Sequence, residues 1–146
     1  LAKSHSPYYL MSQLGSNARK LGRKDEALRW YEQAFDRSEG PATRLQWGAG
    51  YLAALVELAP DQAARIEKAA SQLFAEAAAD PGAFYERSAR SLQRAGSQLQ
   101  RWNADGRHAA VLQRLRRQLD GVCAKVDRAD GQRASCERLL QPGAGA

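Results

Sequence analysis

Apolar and small residues recur along this chain at three- and four-residue spacing, almost never in strict alternation. That period belongs to helices. β-branched residues are scarce while Ala, Leu, Arg and Gln dominate, so strand signals are missing too. Residues 1–6 read as loose. Ser6-Pro7 makes a helix start, with Ser as N-cap and Pro at the first helical position. The first helix then runs to about Leu21 and the second from about Arg23 to Arg37. Gly40-Pro41 breaks the chain before a third helix ending near Leu58. There Leu45, Gly48, Leu52, Val56 and Ala59 share one stripe, and Trp47, Tyr51, Ala54 and Leu58 make a second. A helix apolar over so wide an arc is expected to be buried on more than one side.

Ala59-Pro60-Asp61 opens a fourth helix with Ala63, Ile66, Ala70, Leu73, Phe74 and Ala77 inward. Asp80-Pro81 gives a cap-plus-proline signal for a fifth, which buries Phe84, Ser88, Leu92, Ala95, Leu99 and Trp102. After the turn cluster Asn103-Ala104-Asp105-Gly106, a sixth carries Val111, Leu112, Leu115, Leu119, Val122 and Val126. A short seventh, about 133–140, is placed to cover the last apolar face, and residues 142–146 read as a disordered tail. Residues 1–141 thus form one all-α domain of about six long helices plus a cap, in hairpins of about 7–38, 42–79 and 81–126. No apolar run is long enough for a membrane span. The opening Leu, without a charged and apolar leader, suggests a cut inside a longer protein or a processed end.

Two of the hairpins share a motif. Met11-x2-Leu14-Gly15-x2-Ala18, Gly22 and Ala27-x3-Tyr31-x2-Ala34 resemble one tetratricopeptide (TPR) repeat. Trp47-Gly48-x2-Tyr51 and Ala70-x3-Phe74-x2-Ala77 repeat its two halves, with about ten extra residues between them. The pattern departs at Met11 for Trp, at Ala18 for Tyr and at Glu39 where the Pro falls. The resemblance implies a TPR-like helical-hairpin array, an α-α superhelix. An ordinary antiparallel bundle remains the alternative. Carrying the family's groove positions over gives Tyr9, Ser12, Ser16, Arg19 and Lys20 in the first copy, and Leu45, Ala49 and Leu52 in the second. Such an apolar floor either binds an apolar segment or is covered by the same polypeptide.

Charge divides the chain. Residues 1–80 hold ten Lys/Arg and ten Asp/Glu, so the net charge of +6 lies wholly in residues 81–146. At 100° per residue, Arg87, Arg90, Arg94 and Arg101 fall within an arc of about 60°, away from the apolar face. They form either a solvated face or the basic lining for an acidic partner. Nucleic acid is disfavoured because no aromatic residues are interleaved with them.

No catalytic constellation emerges. Gly48-x-Gly50-x2-Ala53 fits a dinucleotide-binding fingerprint literally but lies inside a helix, without the strand that motif needs. His5 and His108 lack partners at metal-ligand spacing, so neither metal nor cofactor is expected. An enzymatic reading would require a cleft holding His108 beside a perturbed carboxylate. Cys123 and Cys136 do not form a C-x-x-C pair. The preferred reading joins them as a disulfide in an exported, for example periplasmic, protein; free thiols would instead suit the cytoplasm.

Finally, the runs Ser4-His-Ser-Pro-Tyr-Tyr9, Gly40-Pro-Ala-Thr-Arg-Leu-Gln-Trp-Gly48, Ala83-Phe-Tyr-Glu-Arg87 and Arg101-Trp-Asn-Ala-Asp-Gly106 resemble the C-terminal helical region of exported bacterial thioredoxin-fold proteins. In that family a thioredoxin-like domain carrying C-x-x-C precedes the helical region. The resemblance implies a non-catalytic recognition or positioning arm of a thiol–disulfide protein, with that domain or a client polypeptide as partner. The alternative is a stand-alone basic helical adaptor for acidic partners.

Overall fold

A computed structural model describes residues 7–84, 86–126 and 131–140. Those residues form seven helices and no strand: α1 (Pro7–Lys20), α2 (Lys24–Arg37), α3 (Pro41–Leu58), α4 (Ala63–Ala78), α5 (Glu86–Trp102), α6 (Ala109–Cys123) and α7 (Gln132–Glu137). The all-α expectation holds, and the first three helices lie within a residue or so of their expected bounds. Their punctuation is local. Pro7 and Pro41 each occupy a first helical position, where a missing N–H costs nothing. At the end of α1, Gly22 has φ +77 and donates to Arg19 O at 3.0 Å, while Arg23 N reaches Ala18 O at 2.8 Å. This pair of bonds is a Schellman closure, which needs a left-handed residue and here uses Gly.

Later boundaries differ from expectation. α5 starts at Glu86 and not near Pro81, because the Asp80 carboxylate accepts from Gly82 N at 2.9 Å and closes a turn. Phe84 and Ala83 are buried all the same, from that turn. α6 ends at Cys123, and α7 ends at Glu137, so Leu139 and Leu140 follow it in a turn. The tail expected at 142–146 lies outside the described residues.

α1 and α2 pack closely as a hairpin, α2 packs on α3, and α3 packs on both α4 and α5. α4 in turn carries α6, and α6 carries α7. With neighbours on three sides, α3 accounts for its broad apolar arc: Leu45, Ala49, Leu52 and Leu55 are all within 1% of full burial. Together with Phe35, Ile66, Leu73, Phe74, Leu92, Leu99 and Leu115 they make one continuous core. Each large side chain contributes about 1.5–3 kcal/mol by leaving water.

Small residues permit the close approaches. A Cβ on Gly48 would stand 2.8 Å from Leu73 Cδ1 and 2.9 Å from Phe35 Cε1, so α3 meets α2 and α4 there only without a side chain. On α1, Gly15 lies against the Tyr31 ring, with 3.1 Å between its would-be Cβ and Tyr31 Cε1. Polar ties join distant helices. Trp102 Nε1 donates to Pro60 O at 2.7 Å, and Arg114 makes a two-point pair with Glu67 at 2.7 and 2.8 Å. Gln118 Nε2 donates to Ser71 O at 2.9 Å.

The third pair of long helices is built differently from the first. α5 and α6 follow one another in the chain but lean on α3 and α4 respectively. Leu139 and Leu140 reach both of them. Leu139 O occupies the space a Cβ on Gly96 of α5 would take, and Arg116 Nε of α6 donates to Leu140 O at 2.7 Å. Cys123 and Cys136 are joined by a disulfide with their Cα atoms 5.6 Å apart, and both are buried. Closing a loop of this size is worth about 3 kcal/mol in the chain-entropy account to the segment it holds in place.

Candidate binding cleft

α1 packs chiefly on α2 and meets α3 through side chains, which leaves a cleft of about 240 Å³ between α1 and α3. Ser12, Ser16 and Arg19 come from α1, and Gln46, Trp47 and Gly50 from α3. Tyr31 of α2 lies at the floor, its hydroxyl 3.1 Å from Ser16 Oγ. Tyr9 stands edge-on to Trp47, ring centroids 5.4 Å apart at 89°. At the far end Arg19 pairs with Glu57, the only acidic residue of the lining, and Arg94 of α5 enters from the side. Tyr51 also borders the cleft. Burial pushes its phenol above the ordinary 10, so it stays protonated at neutral pH, and Arg65 Nε donates to its oxygen at 3.2 Å.

The α5 arginines are distinctive in sharing one helix face. Arg19, Arg23, Arg44, Arg65, Arg107 and Arg114 each have a carboxylate partner. Arg87, Arg90, Arg94 and Arg101 are exposed, and among the described residues none has an ion pair or hydrogen bond. Their field is therefore not neutralised locally. Arg94 links this row to the cleft, which makes one surface of two features that were separate in the sequence.

Of the residues expected to bind, Ser12, Ser16, Arg19 and Arg94 line the cleft and Tyr9 stands beside it. Lys20 is exposed at the end of α1. Leu45 and Leu52 require a correction: they are 1% and 0% exposed and belong to the core. Of the two alternatives for an apolar floor, cover by the same polypeptide is the one found, since α3 is enclosed by α2, α4 and α5. Trp47, Tyr51 and Glu57 were missed. The second apolar stripe of α3 was the signal for Trp47 and Tyr51, but a stripe alone does not say which part of it stays open, and Glu57 had no signal.

His108 sits outside the cleft. Its ring stacks on Trp102 at 3.7 Å and 6°, and its backbone N–H donates to Asn103 Oδ1 at 2.7 Å. Nearby Asp105 is held below its ordinary range first by the Arg107 N–H it accepts, an exposed turn contact. Among the described residues no group of three or more His, Cys, Asp or Glu is placed to hold a metal ion. No helix among them is long and apolar enough to cross a membrane. Compared with family models, curated proteins and solved structures, the chain matches none.

Proposed function

We propose that this chain is a non-catalytic protein-interaction domain whose partner is an acidic polypeptide segment. The segment runs along the α5 arginines and into the cleft between α1 and α3. The observation that carries this reading is the placement of Arg94: it belongs to a row of exposed α5 arginines on one helix face and also borders the cleft between α1 and α3. Arg guanidinium groups suit carboxylates because two N–H donors meet two oxygens in one plane. The cleft adds Trp47, Tyr31 and the serine hydroxyls beside Arg94, a lining for a side chain as well as a charge. Nucleic acid fits less well, since the aromatic residues sit in a narrow cleft and are not spread along the basic row.

The recurring motif, with Gly15 and Gly48 each letting its helix approach a neighbour closely, supports an array of the TPR kind. The four runs quoted above support a place as the recognition or positioning arm of an exported thiol–disulfide protein. A buried disulfide suits an oxidising compartment such as the periplasm. The direct test is a titration of a labelled, Glu/Asp-rich peptide by fluorescence anisotropy. Replacing Arg90 and Arg94 by Ala together should weaken binding by about tenfold or more, as two charge-assisted contacts are lost. Unchanged binding would return the row to a solvated face. Reduction of insulin disulfides by the chain alone would overturn the non-catalytic reading.

A further inference from the structure

Leu139 and Leu140 are seated as a ligand would be. Most contacts between helices here are made by side chains. Leu139 and Leu140 instead present main-chain carbonyls, one against the bare backbone of Gly96 and one to the guanidinium of Arg116. Their side chains are 5% and 2% exposed. Beneath them α5 is held by α3, and α6 by α4, through contacts that do not involve Leu139 or Leu140. The groove therefore has walls that stand without its occupant. The occupant does not stand alone: α7 has six residues, well short of the roughly 12–15 that an isolated helix needs. Apart from those two carbonyls and leucines, it is tied to the end of α6 by the disulfide and to the turn that follows α6 by Arg133, which donates to Val126 O at 2.9 Å.

We infer that residues 132–140 are a disulfide-latched strap, filling in cis a groove between α5 and α6 that takes a short helical turn ending in two adjacent large apolar side chains. The latch opens by thiol–disulfide exchange with a dithiol reductant. Its thiolate attacks one sulfur, the Cys123–Cys136 bond breaks as a mixed disulfide forms, and the second thiol of the reductant resolves it. Two electrons pass to the protein, which gains two thiols, and the reductant leaves as a disulfide. A cleft of about 280 Å³, bordered by Arg116, Asp120, Glu137 and Leu140, leads to both cysteines. The inference is independent of the cleft between α1 and α3.

Two measurements on the full chain test it, comparing the oxidised protein with the Cys123→Ser/Cys136→Ser variant. In hydrogen exchange, amides of 133–140 should lose about 100-fold of their protection in the variant while α2, α3 and α4 change by less than about threefold. In anisotropy, a labelled peptide of residues 131–140 with Cys136→Ser should bind the variant about tenfold or more tightly than the oxidised chain. The tethered strap still competes in the variant at millimolar effective concentration, which limits the gain. The same peptide with Leu139→Ser and Leu140→Ser should not bind. Undiminished protection of 133–140 would overturn the latch. Loss of protection throughout α2–α4 would make the disulfide a staple for the whole fold, and that too would overturn it. A released strap with no peptide binding would remove the groove as a site.

Discussion

Arg44 of α3 and Glu76 of α4 form a two-point ion pair, with Nε to Oε1 at 2.6 Å and Nη2 to Oε2 at 2.9 Å. The same guanidinium donates through Nη1 to Phe35 O at 3.0 Å and Ser38 O at 2.9 Å, and lies 4.9 Å from the Phe35 ring centroid. One side chain thus closes the carbonyl end of α2 and fastens it to α4. Both partners are about three-quarters buried, at 25% and 27% side-chain exposure, so the pair is shielded better than a surface bridge. Arg44→Ala should cost about 2 kcal/mol in urea unfolding, and Arg44→Lys more than half of that, since an ammonium cannot make the fork.

The pair also sets an acid dependence. The Arg44 hydrogen bond holds the Glu76 carboxyl below its ordinary 4.5, outweighing burial. A folded pKa below the unfolded one gives stability that is complete above about 4.5 and lost as pH falls through the depressed value. Glu67 beside Arg114 acts in the same direction. Asp36 opposes them, because burial and then Glu32 raise its pKa, so ionising it weakens the fold as pH rises. The stability gap between wild type and Arg44→Ala should therefore narrow on acidification below about pH 4.5. A gap independent of pH would mean that Arg44 acts only through the α2 carbonyls.

Two glycines on α3 should respond oppositely to the same substitution. Gly48→Ala places a methyl 2.8 Å from Leu73 and 2.9 Å from Phe35, both fully buried, and should cost about 1–3 kcal/mol by overpacking. Gly50→Ala meets nothing within 4 Å and removes a glycine from a helix interior, a gain of about 0.5–1 kcal/mol. Thermal unfolding of the two variants reads this directly. If both destabilise alike, the close packing of α3 on α2 and α4 is wrong.

What the sequence made legible was local. Pro7, Gly22 and Pro41 act through their own φ angles and missing donors, so the ends of α1 and the start of α3 could be read without a tertiary structure. The motif's small residues signalled a close helix approach at Gly15, and the Tyr31 ring is what lies there. Asp80-Pro81 misled because a carboxylate can close a two-residue turn as readily as cap a helix. Leu45 and Leu52 misled because their exposure depends on α5, more than thirty residues away in the chain. The ion pairs Arg44–Glu76 and Arg114–Glu67 join helices whose adjacency no short spacing encodes. Gly96 likewise gives no sign of the Leu139 carbonyl it accommodates. The candidate site was read in two halves, α1 hydroxyls and α5 arginines, and only packing brings Arg94 beside Ser16 and Trp47 in one cleft.

The cleft offers a test in which affinity should rise. Arg19 and Arg94 are its cations, and Glu57 is its only acid, already paired with Arg19. Glu57 both cancels one charge and repels an incoming carboxylate. Glu57→Gln keeps the shape of the lining, frees the Arg19 guanidinium, and raises the formal charge of the lining from +1 to +2, counting Arg19, Arg94 and Glu57. The Arg19–Glu57 pair is half exposed, 40% and 47%, so losing it should change folding stability little. Affinity for a Glu/Asp-rich peptide should rise about three- to tenfold at about 20 mM salt, and the gain should largely vanish at about 300 mM as screening shortens the reach of the charge. The outcome separates the two parts of the proposed surface. If Arg90→Ala/Arg94→Ala weakens binding but Glu57→Gln leaves it unchanged at low salt, the acidic segment lies along α5 without entering the cleft. An affinity that falls in Glu57→Gln would mean the carboxylate itself contacts the partner, and the cleft would then be recognising a donor group and not an acid.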